Sequence, residues 1–315
     1  MSNPLLEIKD LNINYGTTNA VKDISFELHR GEILGFLGLN GAGKSSTMQA
    51  ITGNLATQAG SIKICGMSLF EQGRAAKRHI GYLPEIAPLY TQLTINEYLY
   101  YCAQLHGVSK NKIQHCINNS KQRCGLTHNE NRLIKNLSKG YQQRVGIAQA
   151  ILHNPDILIL DEPTVGLDPA QIREIRRLIQ ELGEDHGILL SSHILPEIQD
   201  ICNRVLILHQ GKIVLNESIR QLQQQARQSL QLGFRNPPDN EQLLQIKGVD
   251  AVDTETSCTR VWFSKNNPGD EILQQAIQQD WGLYKLNPEE GMMEQVFIQL
   301  TCNDEPPNTN TGQSE

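Results

Sequence analysis

One octapeptide decides the fold of this chain: Gly38-Leu39-Asn40-Gly41-Ala42-Gly43-Lys44-Ser45. It follows the apolar run Ile33–Leu37, which is typical of a buried strand, and it precedes a stretch with a helical pattern. Glycines at these spacings let consecutive backbone N–H groups surround phosphate oxygens, and the helix N-terminus adds a positive dipole. Lys44 would contact the β- and γ-phosphates, and the Ser45 hydroxyl would bind Mg²⁺. The octapeptide therefore predicts a nucleotide-binding loop rather than an ordinary glycine-rich turn.

A pair of carboxylates follows a second apolar run. Residues 157–160 are Ile-Leu-Ile-Leu and are followed by Asp161 and Glu162, as expected for a strand that is covered on both faces of a parallel sheet. Ligands of such sheets bind at the carboxyl ends of the strands. Two acidic residues alone are more often a solvated turn, but here they accompany a phosphate loop. We therefore expect Asp161 to contact the metal and Glu162 to act as the general base for an attacking water.

The remaining pattern up to about residue 210 predicts an α/β sheet. Apolar runs at Ile188–Leu190 and Val205–Leu208 are typical of further buried strands. Helical stretches at about 169–183 and 195–202 lie between them, and this alternation favours parallel strands joined by helices. Residues 93–152 are mostly helical and predict a helical subdomain.

A third motif completes a family pattern. Leu137-Ser138-Lys139-Gly140-Tyr141-Gln142-Gln143-Arg144 resembles the signature sequence of the ATP-binding subunits of ABC transporters. The resemblance covers about residues 4–220 and includes, in the family's order, Tyr15, the phosphate loop, the signature, Ile157–Thr164, Gly166–Asp168 and Ser191–His193. It implies a P-loop NTPase domain over residues 1–220, with a RecA-like core, an antiparallel β subdomain and a helical subdomain at about 87–153.

The resemblance also implies roles for individual residues. Two such domains would pair head to tail, with ATP and Mg²⁺ between the phosphate loop of one subunit and residues 138–140 of the other. Tyr15 would stack on adenine. His193 would contact the γ-phosphate and hold the attacking water, and Asp168 would communicate across the dimer interface.

Several positions depart from the family pattern. Lys139 and Tyr141 stand where the signature usually has Gly and Gln, although Gly140 is kept. Glu85 replaces a glutamine that contacts Mg²⁺ and water in the family. A carboxylate can still bind the metal and accept from water, so Glu85 is included among the catalytic and metal-binding residues. Ser46 replaces a common threonine and is included in the nucleotide-binding set.

Details of these motifs favour one branch of the family. Pro84-Glu85, the Leu-Ser-Lys-Gly-Tyr signature and Asn287–Phe297 resemble an exporter group that includes gliding-motility and multidrug or sodium export ATPases. The resemblance implies a homodimer that powers a separately encoded integral-membrane permease. It places the protein at the cytoplasmic face of the plasma membrane, attached through that permease.

Two alternative functions also fit a nucleotide-binding chain: a soluble non-transport ABC ATPase and a nucleotide-gated regulator. The first class usually carries two cassettes or a long coiled coil, whereas this sequence has one phosphate loop and no sustained heptads. Intact Glu162 and His193 disfavour a regulator that binds ATP but barely hydrolyses it. ATP hydrolysis that powers transport is therefore the preferred function.

Composition limits the other partners. The 315 residues are 39% hydrophobic and 20% charged, as in a globular protein of about two domains. A net charge of −6 offers no footprint for nucleic acid, so we expect no such partner. The sequence has no apolar stretch of membrane-spanning length and no secretion signal, so we expect the cytosol. The seven scattered cysteines predict reduced thiols, and the group His106, His115, Cys116, Cys124 and His128 matches no zinc-binding spacing.

The C-terminal third has a different pattern. Residues 216–228 predict a Gln-rich helical connector, of which 221–228 join two domains. Beyond it we predict a strand (229–234), a helix (239–246), two strands (249–254 and 259–264), a helix (268–280), a strand (282–286) and a short helix (290–300). This order favours a small ferredoxin-like α+β domain over 229–301, followed by a disordered polar tail at 302–315. Dimer stabilisation ranks ahead of ligand sensing or permease docking as its role.

Overall fold

The computed structural model describes residues 3–225, 228–255, 258–263 and 266–289. The chain divides between Ile219 and Arg220 into two compact units. Within the described ranges, no helix is long and apolar enough to cross a membrane. The predicted short helix at 290–300 and the predicted tail at 302–315 lie outside the described residues.

The first unit alternates strands and helices. In chain order these are β1 (Leu6–Tyr15), β2 (Thr18–Leu28), β3 (Ile33–Leu37), α1 (Lys44–Ile51), β4 (Ala59–Ile64), β5 (Met67–Ser68), α2 (Gly73–Ala76), β6 (Ile80–Leu83), α3 (Ile95–Leu105), α4 (Lys110–Arg123), α5 (Lys139–Ile151), β7 (Ile157–Asp161), α6 (Pro169–Gly183), β8 (Gly187–Ser192), α7 (Leu195–Ile201), β9 (Arg204–His209) and β10 (Lys212–Ser218). Short 3₁₀ turns lie at Lys77–His79, Thr127–Asn129 and Ile134–Asn136.

A six-stranded sheet lies at the centre of this unit. Its order is β10-β9-β3-β8-β7-β6, in which β10 is antiparallel to β9 and the other pairs are parallel. The apolar strands β3, β7 and β8 are buried along their whole length, as predicted. Because parallel strands end at one edge, Leu37, Asp161 and Ser192 lie together there. The α/β prediction is confirmed, and this edge carries the predicted phosphate loop.

A second, antiparallel sheet with the order β2-β1-β4-β5 shares a core with the central sheet. Apolar and polar residues alternate at the end of β2, where Ile24, Phe26 and Leu28 are buried while the residues between them are exposed, as in a half-buried strand. The rings of Phe26 and Phe36 pack edge to face, with centroids 5.1 Å apart, and join the two sheets. This packing fixes the start of the phosphate loop, because Phe36 and Leu37 are the last residues of β3 and the loop begins at Gly38.

Helices α3, α4 and α5 pack together as the predicted helical block. Thr94 and Glu97 form a capping box that starts α3. Ser138 caps α5, because its Oγ accepts a hydrogen bond from the Tyr141 N–H over 3.4 Å. Although Ser138 and Gly140 stand where the sequence indicates the approach to a helix, only Ser138 precedes α5, and Gly140 lies in its first turn.

Helix α8 (Ile219–Gln225) begins at the last residue of the first unit, and the second unit continues with β11 (Gln228–Phe234), α9 (Asn240–Leu244), β12 (Ala251–Glu255), β13 (Cys258–Phe263), α10 (Gly269–Gln278) and β14 (Leu283–Glu289). Its sheet has the order β12-β13-β11-β14, and all pairs are antiparallel. This is the predicted βαββαβ arrangement. A separate apolar core that includes Leu230, Val261 and Trp281 holds the helices on the sheet.

One expected boundary is wrong. The composition predicts a helical connector from residue 216 onward, but residues 216–218 form the end of β10. There Glu217 pairs with Val205 and Ser218 pairs with Arg204 of β9. Pairing with an existing strand edge overrides the local preference of this stretch.

Candidate nucleotide-binding and hydrolysis site

The phosphate loop turns sharply between β3 and α1 because two of its glycines have positive φ. Gly41 has φ 84° and Gly43 has φ 105°, a region that favours glycine. A Cβ on Gly43 would lie 2.7 Å from the carbonyl oxygen of Ala20, so any side chain there would collide with backbone. Gly43 is also the residue that caps α1, and the loop therefore ends at a helix N-terminus.

Lys44 is held inside the loop. Its Nζ donates to the carbonyl oxygens of Gly38 and Leu39 over 2.7 and 3.2 Å, and it lies 3.9 Å from Oε1 of Glu162. Burial lowers the pKa of Lys44, and the negative charges of Glu162, Asp161 and Glu85 oppose that shift. The ammonium is therefore a localised positive charge that faces the loop, as binding of phosphate requires.

Asp161 provides oxygen atoms next to the loop serine. Its Oδ1 accepts a hydrogen bond from Ser191 Oγ over 2.5 Å and lies 3.4 Å from Ser45 Oγ. Mg²⁺ prefers oxygen ligands in octahedral geometry and keeps several waters. A hydroxyl and a carboxylate at this spacing fit such an ion, so Ser45 and Asp161 are its candidate protein ligands.

Glu162 is buried and has a left-handed backbone, with φ 49°. This conformation is uncommon for residues other than glycine and costs on the order of 1–2 kcal/mol. The Glu162 N–H donates to Ser191 Oγ over 2.9 Å, and its Oε2 lies 2.9 Å from Nδ1 of His193. The carboxylate is thus held between Lys44 and the half-exposed ring of His193.

Ser191 and Glu197 are the site residues whose individual roles sequence reasoning missed. The Ser191 hydroxyl connects the backbone of Glu162 to the carboxylate of Asp161. The Glu197 carboxylate accepts from Thr164 Oγ1 over 2.7 Å and from Ser192 Oγ over 3.0 Å, behind the pocket. Ser191 and Ser192 stand in the Ser191–His193 motif, but the partners of Ser191 depend on how β7 pairs with β8.

A cavity of about 370 Å³ brings half of the predicted residues together. It is lined by Ala20, Asn40, Gly41, Gly43, Lys44, Ser45, Ser46, Glu85, Glu162, Val165 and His193. Ala20 and Val165 are new, and nothing in their type signalled a role. Tyr15 is 49% exposed, and its hydroxyl lies 3.4 Å from Ser46 Oγ, so its ring stands beside the loop rather than inside the cavity.

The signature residues do not line this cavity. A Cβ on Gly140 would lie 2.7 Å from the Gln171 side chain, so the first turn of α5 packs closely on α6. The Lys139 ammonium occupies the space beside Gly166, and Asp168 caps α6 through the N–H groups of Ala170 and Gln171. The signature residues 138–140 and Asp168 thus lie together on a part of the first unit that is separate from the cavity.

The fold and the site define a P-loop ATPase, since a phosphate loop, a buried aspartate and a buried glutamate meet at the edge of a parallel sheet. Residues 21–165 match the family model described as ABC transporter. The chain is also 33% identical over 302 residues to the bacitracin transport ATP-binding protein BcrA of Bacillus licheniformis, a match that covers 94% of this chain and 97% of that protein. It therefore belongs to the family of ABC transporter ATP-binding proteins, whose ATPase activity is coupled to transport.

Two further similarities support this assignment. The methionine import ATP-binding protein MetN of Protochlamydia amoebophila is 34% identical over 297 residues, which is 89% of this chain and 85% of that protein. A solved structure described as the ATP-binding subunit of an ABC transporter is 34% identical, with a TM-score of 0.63 over 70% of this chain and 92% of that one.

Proposed function

We propose that the first unit binds ATP with Mg²⁺ and hydrolyses it in the cavity beside the phosphate loop. The observation that carries this proposal is the convergence of Lys44, Glu85, Glu162 and His193 on that cavity. Lys44 would bind the β- and γ-phosphates. Mg²⁺, held by the hydroxyl and carboxylate described above with Glu85 nearby, would neutralise phosphate charge when bound.

Hydrolysis joins a water oxygen to the γ-phosphorus and breaks the bond to the oxygen that bridges the β- and γ-phosphates. Glu162 would accept the proton of the attacking water, because its carboxylate faces the cavity and its backbone N–H is fixed by Ser191. His193 would donate to the γ-phosphate and fix that water. The products are ADP and phosphate.

We further propose that two copies pair head to tail, so that residues 138–140 of one chain complete the site of the other. The signature lies on a surface separate from the cavity, together with Asp168, and it starts a helix whose first N–H groups are suited to an anion. Lys139 adds a positive charge to that surface. A head-to-tail dimer would bring this surface to the partner's γ-phosphate.

Mixing two inactive variants tests this arrangement. Lys44→Ala disables a phosphate loop, and Gly140→Asp places a negative charge in the signature. Each homodimer then lacks an intact site, whereas a mixed dimer has one intact loop facing one intact signature. Random pairing at equal amounts would restore up to about a quarter of the wild-type sites.

The outcomes of this mixture are distinct. Recovered ATPase activity that rises with the concentration of the mixture supports the head-to-tail dimer. Activity equal to the sum of the separate variants, measured with Gly140→Asp still binding ATP, contradicts it. Wild-type protein mixed with Lys44→Ala is the control for changes in pairing alone.

The dimer is proposed to act at the cytoplasmic face of the membrane, on a separately encoded permease, and in the direction of export. The names of the relatives include both a transport and an import protein, so the export direction is supported by the resemblance of Pro84-Glu85 and the Leu-Ser-Lys-Gly-Tyr signature to exporter-type subunits.

A tagged Glu162→Gln chain, purified from detergent-solubilised membranes with ATP and Mg²⁺, tests the partner. We expect an integral-membrane protein to co-purify with it, and less of that protein with Lys44→Ala. Deletion of the gene tests direction, because loss of an exporter lowers the tolerated concentration of its substrate. The deletion strain and its parent are compared on a panel of antimicrobial peptides and cations. Equal tolerance of the two strains would contradict export of those classes.

A further inference from the structure

Three metal-ligating side chains meet at the end of the central sheet opposite to the nucleotide cavity. The Sγ of Cys65, a ring nitrogen of His79 and a carboxylate oxygen of Asp156 lie within 4.8 Å of one another. Across the described residues, this is the one group of three His, Cys, Asp or Glu side chains that converges so closely. ATP hydrolysis at the other end of the sheet uses none of them.

The strand pairing explains why His79 and Asp156 are neighbours. They immediately precede β6 and β7, and the first residues of these parallel strands, Ile80 and Ile157, are paired. The two side chains therefore start from adjacent positions at the amino-terminal edge of the sheet. His79 Nδ1 lies 2.6 Å from Oδ2 of Asp156.

Cys65 reaches the same place from the turn between β4 and β5. Cys65 and Gly66 are the central residues of this two-residue turn, and both have positive φ, at 49° and 78°. Such turns favour asparagine, aspartate and glycine, so the cysteine is not chosen for its turn preference. The Cys65 N–H donates to the Leu5 carbonyl over 2.7 Å, which fixes the backbone that carries the thiol.

Arg30 orients the carboxylate. Its guanidinium pairs with Oδ1 of Asp156 and donates to the carbonyl oxygen of Asp185 over 2.8 Å. Oδ1 is thereby occupied, and Oδ2 is the oxygen that faces His79. Hydrogen bonds that hold a carboxylate by its other oxygen are typical of metal sites, where they fix the ligand in its binding orientation.

We propose that Cys65, His79 and Asp156 bind a zinc-type divalent cation through Sγ, Nδ1 and Oδ2. Zinc ligand distances place neighbouring ligand atoms of a tetrahedral site about 3.4–3.6 Å apart, so side-chain movements of about 1 Å complete it. The His79 and Asp156 side chains are 36% and 28% exposed, which leaves the fourth position to water. Binding releases the thiol proton to solvent, and neutral His79 carries its ring proton on Nε2.

The ligand set separates this site from the nucleotide site. A thiolate and an imidazole suit zinc and its neighbours among the transition metals, whereas Mg²⁺ is bound by oxygen ligands. A bound ion would join the turn after β4 to the starts of β6 and β7. Because the ion binds only the folded chain with all three ligands in place, it raises the apparent stability of the first unit.

Cobalt titration of the full-length protein tests the site. Metal-free protein in excess Mg²⁺ receives Co²⁺, and we expect thiolate-to-cobalt absorption in the near ultraviolet that saturates at an equimolar amount. Zn²⁺ added afterwards should remove the absorption by replacing the cobalt. Cys65→Ser and His79→Gln should lose it.

Matched controls keep the test specific. Cys116 is likewise a partly buried cysteine and His115 is exposed, so Cys116→Ser and His115→Gln should keep the full absorption. Absence of the band in the wild type, its persistence in Cys65→Ser, or its loss in Cys116→Ser would each overturn the proposal. If circular dichroism shows that Cys65→Ser does not fold, His79→Gln, at a partly exposed position, decides the test. Loss of the absorption in His79→Gln supports the site, and its persistence overturns it.

Discussion

The hydroxyl of Ser191 lies 2.5 Å from Oδ1 of Asp161, and both groups are buried at the ends of paired strands. The same hydroxyl oxygen accepts the N–H of Glu162. One side chain on β8 thus holds the residue proposed to bind Mg²⁺ and the residue proposed to be the general base.

Ser191→Ala is expected to slow ATP hydrolysis while ATP binding changes little. The substitution leaves two buried polar groups without their partner, which costs about 1–3 kcal/mol and corresponds to roughly 10–100-fold in turnover if it falls on the reacting geometry. Steady-state kinetics with separate kcat and KM values check this. The neighbouring Ser192→Ala, whose hydroxyl bonds to Glu197, is the matched control and should keep most of its turnover. Equal losses in both variants would point to a general packing defect.

Glu162→Gln should bind ATP and lose hydrolysis by at least about 100-fold, because an amide does not accept the proton of the attacking water. The variant should also elute as a dimer in ATP and Mg²⁺ during size-exclusion chromatography, together with unhydrolysed nucleotide. Glu184→Gln, at an exposed position, is the control. Normal phosphate release from Glu162→Gln would assign the base to another residue.

Lys44→Ala should weaken ATP binding by roughly 10–100-fold, since a hydrogen bond to a charged group contributes about 1.5–3 kcal/mol. Fluorescent nucleotide titration measures the effect directly. Lys110→Ala removes an exposed lysine from the start of α4 and should bind ATP as the wild type does. Unchanged affinity in Lys44→Ala would remove the loop from the proposed site.

His153 should make the first unit less stable in mild acid. Burial, aided by the charge of His106, lowers the pKa of His153 from 6.5 to about 4, although its hydrogen bond to the Ile80 carbonyl opposes the shift. The unfolded chain therefore binds more protons between these values. The contribution of neutral His153 to the free energy of unfolding is fully present above about pH 6.5. It falls as the pH approaches 4, and the loss for this group is about 2 kcal/mol at pH 5.

Urea unfolding followed by circular dichroism at pH 7.5 and pH 5 checks this sign. His153→Gln should reduce the loss of unfolding free energy on acidification, because glutamine does not gain a charge and can still donate to the Ile80 carbonyl. His115→Gln, at an exposed position of α4, should leave the pH dependence as it is in the wild type. A dependence equally steep in His153→Gln and the wild type would assign it to other groups.

Deleting residues 229–315 should leave ATP binding intact and weaken the proposed dimer. The nucleotide cavity lies wholly within the first unit, and the second unit has a sheet and an apolar core of its own. Sedimentation of the truncated and full-length Glu162→Gln chains with ATP compares their dimerisation. Undiminished dimerisation of the truncated chain would rule out a stabilising role for the second unit.

The parts of the molecule that follow from local pattern were predictable. Predicting the phosphate loop requires only the glycine spacing between an apolar strand and a helix. Predicting the carboxylates after Leu160 requires only an apolar strand that is followed by acidic residues. The βαββαβ order of the second unit likewise follows from alternating patterns along the chain.

Features that depend on which strands become neighbours were not predictable. The hydrogen bond between Ser191 and Asp161 exists because β7 and β8 pair in one register. The sequence does not reveal that register, so it does not reveal the bond. The approach of Cys65 to residues 79 and 156 likewise joins segments from two sheets. Local composition failed at 216–218 for the same reason, since an available strand edge decided their structure.

Strand β7 spans only five residues, so the side chains of Asp156 and Asp161 are separated by about 16 Å of fully buried backbone. Strand β7 has no room to bend, because each of its side chains is enclosed by close-packed neighbours. It moves as one piece or stays in place. We therefore expect a displacement at the Asp156 end to shift Asp161 and the adjoining Glu162, which lines the nucleotide cavity.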